Sequence, residues 1–243
     1  MRWRSIWALL AAGALAGCTA TGTASGTGTA SGTGATAPVT PRATQSARPS
    51  ATAKPEPKPR PTALTVAPPD AAALPQTRAF PGTTDTAFKN VIYDFWLAVT
   101  TGNPNYAKPA FFPEKAYEQV KAISDPDYDW RTRLWYEFTL DVAAVHPLIG
   151  KHARLLRVIV PAEYAIWIPP GACSNSIGYW HVPGSRLVYE QGGATRSFGI
   201  TSFISWRGDW YLVHLGALSR PAPVGIVDDA QPGPGVPGPS GGC

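Results

Sequence analysis

Apolar side chains recur at Phe88, Val91, Ile92, Phe95, Trp96 and Val99. Intervals of three and four residues put them on one stripe of an α-helix. Asp85 stands where an N-cap belongs, and Gly102 with Pro104 supplies a stop. A second helix is expected from Pro113 to about Ser124, with Ala116, Tyr117, Val120 and Ile123 on its apolar face. From Leu134 the period drops to two. Leu134, Tyr136, Phe138, Leu140 and Val142 alternate with Trp135, Glu137, Thr139, Asp141 and Ala143, and Leu156, Val158, Val160, Ala162, Tyr164 and Ile166 alternate with Leu155, Arg157, Ile159, Pro161, Glu163 and Ala165. The segment 177–193 reads as a strand pair or one irregular strand around Pro183–Gly184. Two more strands follow, joined at Arg207–Gly208–Asp209. Helices first and strands afterwards predict an α+β fold, with the N-terminal helices packed on a curled antiparallel sheet.

Only residues 80–222 carry such periodicity. Residues 19–37 contain "TASGTG" twice in succession and almost no side chain that can enter a core. Residues 38–69 turn to proline with Lys and Arg, as in "KPEPKPRP", a stiff and extended composition. We therefore expect a disordered tether over 18–79, a folded domain over 80–222 and a disordered Pro/Gly-rich tail over 223–243.

The chain opens with Arg2 and Arg4, an apolar run from Ile6 to Ala16, and small residues before a break. Eleven apolar residues are too few to cross a hydrocarbon core of about 30 Å, and the pattern is that of an export signal covering 1–17. Leu15-Ala16-Gly17-Cys18 resembles the lipobox of bacterial lipoproteins. The resemblance implies a diacylglyceryl group on the Cys18 thiol, cleavage between Gly17 and Cys18, and acyl chains that hold the mature protein in the lipid bilayer. Two or more chains anchor stably where one does not. The expected location is the extracytoplasmic face of the cell membrane.

The net charge of +5 belongs to the flanks, because residues 80–222 hold 13 Lys and Arg against 12 Asp and Glu. A nucleic-acid surface needs a basic patch on the folded part, and none is expected. Cys173 and Cys243 remain after the anchor. In an oxidising compartment they can form a disulfide; alternatively Cys173 is a small buried apolar residue and Cys243 is free.

The first helix, "GNPNYAKPAFFPEKAYEQV" and the terminal hairpin "FISWRGDWYLVHLG" resemble the NTF2-like superfamily over roughly 82–220. That superfamily is an α+β cone that includes SnoaL-like and ketosteroid-isomerase-like enzymes. The resemblance implies an apolar pocket between helices and sheet. It carries over no catalytic residue. By alternation His214 shares a face with Trp210 and Leu212, and with Asp141 or Glu163 it could form a base and its orienter. The commoner fate of such a histidine is burial with a hydrogen bond. The four histidines lack metal-ligand spacing, and no cofactor motif is present. The sequence thus favours a non-catalytic envelope lipoprotein whose domain meets a small ligand, a wall polymer or a protein partner. The alternative is an isomerase-like enzyme with a His/carboxylate base.

Overall fold

The structure, a computed structural model, describes residues 62–64, 71–216 and 219–241. The expected signal and lipidation site, and nearly all of the tether, lie outside them.

Helix α1 (Thr86–Thr101) begins at Asp85, whose carboxylate accepts from the Phe88 amide at 2.8 Å. It ends at Gly102, where φ is +67°, a left-handed conformation that glycine adopts without strain. Its apolar stripe is buried, with Phe95 in edge contact with Phe198. After a 3₁₀ turn (Pro104–Ala110), Phe111 forms a parallel bridge with Leu212, and the Phe112 amide donates to the Leu212 carbonyl at 2.8 Å. Helix α2 (Glu114–Val120) stops earlier than expected. Lys121 pairs with Asn175, and the Ala122 amide donates to the Ser174 carbonyl. These bonds draw the backbone out of the helix.

The segment expected to be the first strand is helical instead. A short helix α3 (Pro126–Asp129) passes through a π-turn (Trp130–Trp135) into α4 (Tyr136–Val145). Periods of two and 3.6 nearly coincide at every fourth residue, so Leu134, Phe138 and Val142 satisfy both. Val145, also buried, completes the helical series.

The sheet is antiparallel, six-stranded and not closed. Its strands are β1 (Arg154–Ile159), β2 (Ile166–Ile168), β3 (Tyr179–Gln191), β4 (Ala194–Trp206), β5 (Asp209–His214) and β6 (Gln231–Pro232), in the order β1-β3-β4-β5. β2 also pairs with β3, and β6 with β4. The expected 155–166 strand breaks at Pro161, which has no N–H for a ladder, and a 3₁₀ turn (Ala162–Tyr164) separates β1 from β2. The region around Pro183–Gly184 is one long strand. α+β is therefore the observed class.

The tail also departs from expectation. Residues 220–226 are held against α4 and 228–241 are laid along the sheet, rather than left loose. β6 continues the β4 edge beyond the end of β5, pairing Pro232 with Arg196 and Gln231 with Ser197. The Gly199 amide donates to the Asp228 carbonyl, and the Gly238 amide to that of Gly184. Arg186, 2 % exposed, donates to the Asp229 carboxylate at 2.6 Å, to its carbonyl at 2.8 Å and to the Ser197 hydroxyl at 2.8 Å. A buried guanidinium needs an anion, and the tail supplies it. The N-terminal limit also moves outward. Gln76 donates to the Ser205 carbonyl, and the Trp206 indole to that of Ala71. Cys173 is disulfide-bonded rather than a free buried thiol; its expected partner, Cys243, lies outside the described residues.

Candidate functional site

A cavity of about 390 Å³ opens between α2, the π-turn, the 168–179 rim and the ends of β3, β4 and β5. Its volume lies within the range of small-molecule sites. Val120, Leu134, Ile168, Ile204 and Val213 supply apolar wall. Tyr117, Lys121, Arg133, His181, Ser202 and His214 supply polar groups. Among the described residues no carboxylate lines it.

At the mouth, Tyr117, Asp129 and Arg133 form one cluster. The Tyr117 hydroxyl donates to Asp129 Oδ2 and accepts from Arg133 Nη2 at 2.9 Å. Arg133 also holds both Asp129 oxygens, through Nε at 2.7 Å and Nη2 at 2.6 Å. Arg133 and Asp129 are four residues apart, and one turn of helix brings such a pair together. Arg133 holds the Asp129 carboxyl below its ordinary range. Burial, reinforced by the hydrogen bond to Asp129, pushes the Tyr117 phenol up. Lys121 Nζ donates to the Cys173 carbonyl at 2.9 Å and lies 6.0 Å from the Tyr117 ring centroid. Burial and then the Arg133 charge bring its ammonium down from the usual lysine value.

On the sheet side, His181 Nε2 lies 2.7 Å from the Ser202 hydroxyl, and Ser202 pairs across the sheet with His214. A bulge between Ser202 and Phe203, opposite Val213, turns both Val213 and His214 to the cavity. Strict alternation would have separated them. Burial lowers the His181 imidazole to about 4. Burial first, and then the charges of Arg133 and Arg220, lower His214 to about 3. Both rings are neutral at pH 7.

His214 thus sits in the cavity, but neither expected carboxylate accompanies it. Asp141 is buried elsewhere, accepting from the Gly216 and Ile226 amides at 2.8 Å and from Arg220 at 2.8 and 3.1 Å. It pins the end of the sheet and the start of the tail to α4. Glu163 is exposed on the turn before β2. The sequence reading missed Tyr117, Lys121, Arg133, His181 and Ser202 as site residues. Only Asp129–Arg133 left a signal, and only to a reader who took 126–145 as helical. Among the described residues no group of three His, Cys, Asp or Glu could hold a metal ion, and no helix is long and apolar enough to cross a membrane.

Aromatic residues form a second feature. Phe80 is half exposed and stands edge-on to Trp180 and Trp210. Trp167 meets Trp180 edge-on at 5.5 Å, with Arg78 4.8 Å over the Trp167 ring. Trp130, Trp206 and Trp210 are core residues.

Compared with protein-family models, curated proteins and solved structures, the chain matches none.

Proposed function

We propose that this protein is a lipid-tethered, extracytoplasmic binding protein whose NTF2-like domain takes a small, mainly apolar ligand into the cavity above its sheet. The observation that carries the reading is the cavity itself. It has apolar walls and a few convergent polar groups, the usual composition of a ligand site. The lipobox-like Leu15-Ala16-Gly17-Cys18 and the Pro-rich residues 38–69 supply the tether, and they put the cavity within reach of molecules in or near the bilayer.

Binding without chemistry fits the lining. A base needs a partner that orients it and takes up its charge, and no carboxylate of the lining touches His181 or His214. The enzyme alternative rests on the His181–Ser202 contact at 2.7 Å, which pairs a nucleophile with a base but supplies no orienting acid.

Two measurements test the two halves. Cys18→Ala should move the protein from the membrane to the soluble fraction; an unchanged fractionation overturns the tether. Val213→Trp, which fills the cavity, should abolish uptake of a small apolar fluorophore by the folded protein. Unaltered fluorescence enhancement overturns the pocket.

A further inference from the structure

Resting on the cavity reading, we propose that the ligand is an apolar chain or ring bearing a single carboxylate, gripped at the cavity mouth by Lys121 Nζ and Arg133 Nη1. Two cations line this cavity without a carboxylate among its described lining residues. One anion, Asp129, stands beside them. It is held through both oxygens by Arg133 Nε and Nη2 and also accepts from Tyr117. Arg133 Nη1 makes no hydrogen bond among the described residues, and the Arg133 side chain lines the cavity. Among the described residues, Lys121 Nζ donates to one neutral carbonyl, that of Cys173.

The charge balance selects the head group. Lys121 and Arg133 against Asp129 leave one net positive charge at the mouth; Glu137, which also acts on Arg133, stands with Arg220 at 3.9 Å. The sheet-side groups, His181 and His214, are neutral at pH 7 and leave that balance unaltered. One monoanion neutralises the site, whereas a dianionic phosphate overcompensates it. The partly desolvated setting strengthens the attraction relative to a surface pair. The apolar half of the ligand then lies against Leu134, Ile168, Ile204 and Val213. The mouth is built to keep its shape. The rim is tied to the end of α2 by the Lys121–Asn175 bridge and by the bond from the Ala122 amide to the Ser174 carbonyl, and Cys173 is covalently fixed.

Calorimetric titration of the full chain carrying Cys18→Ala, so that no acyl group of its own competes, with octanoate and with octan-1-ol tests this. Octanoate should bind at least roughly tenfold more tightly than the alcohol, the size of effect expected when one charge-assisted hydrogen bond is gained. Lys121→Gln and Arg133→Met should each erase most of that preference, weakening octanoate far more than octan-1-ol. If Arg133→Met fails to fold through loss of its Asp129 contacts, Lys121→Gln decides alone. Equal binding of acid and alcohol, or a preference that survives Lys121→Gln, overturns the carboxylate and leaves the cavity reading standing. Binding of neither overturns the cavity reading and this inference with it.

Discussion

Asp141 was a candidate for catalysis and is a fastener. Its carboxylate has 1 % exposure and takes donors from Gly216, Ile226 and Arg220. Asp141→Ala takes from the Arg220 guanidinium, its side chain 4 % exposed, the carboxylate it holds at 2.8 Å and leaves Glu137 farther off at 3.9 Å. Loss of one partner of a buried pair costs roughly 3–5 kcal/mol, so the urea midpoint should fall sharply; a shift under about 1 kcal/mol would show the network to be slack. The buried histidines set a pH dependence. His181 titrates near 4 in the fold and near 6.5 unfolded. Between those values the unfolded chain binds more protons, so stability falls as pH drops from about 6.5 to about 4. Asp94, raised to about 6 by burial, works the other way, gaining stability over part of the same window. The comparison is therefore between wild type and His181→Gln. The variant should lose about 3 kcal/mol less than wild type between pH 7 and pH 4, read from urea midpoints across that range. Parallel curves for the two proteins would refute a neutral buried His181.

At the scale of elements, α1 tests how far local rules govern this fold. Asp85→Ala removes the acceptor for the Phe88 amide and should cost about 1 kcal/mol. Gly102→Ala should cost at least as much, because φ is +67° and the new Cβ would lie 2.9 Å from His146 Cδ2. Thermal melts of both variants check this; an unshifted Gly102→Ala would mean that the turn relaxes freely. α1 was legible because cap, stripe and stop all agree. The segment 126–145 was not, because Leu134, Phe138 and Val142 serve either period. What decides it is spatial. The buried Phe138 ring lies 4.8 Å from Phe111 and 6.4 Å from Phe95, packing that no local spacing reveals. The cavity shares this cause. Arg133 comes to Asp129 through a helical turn, and His181 comes to Ser202 through sheet register, so misreading the one element hid half of the site. Alternation assigns His214 to a face with Trp210 and Leu212, whereas the bulge turns it to the cavity beside Val213, and its expected partners require contacts between elements that alternation cannot supply.

At the scale of the molecule, the C-terminal strap changes where the fold ends. Its composition of Pro and Gly, in "DDAQPGPGVPGPSGG", gives no side-chain stripe to bury, which is why it reads as loose. It is held instead by backbone amides and carbonyls and by two carboxylates, Asp229 matched to the buried Arg186 and Asp228 hydrogen-bonded with Thr201. Such pairing is invisible to any periodicity. Ending the chain after Val227 removes the Asp229 anion, strips β6 from the β4 edge and uncovers a guanidinium that the strap otherwise shields, without the carboxylate that paired it. The expected cost is roughly 1–3 kcal/mol, because the Asp229 side chain is itself half exposed, measured under reducing conditions in both chains so that loss of Cys243 does not enter. Adding Arg186→Met to the shortened chain should recover part of it, since the uncompensated charge is then gone; the same substitution in the full chain should be destabilising, because it takes the guanidinium donor from Asp229 and from the buried Ser197 hydroxyl. That opposite sign is a coupling between strap and sheet, and additive effects of the two changes would mean that the tail lies on the sheet without being part of what holds it together.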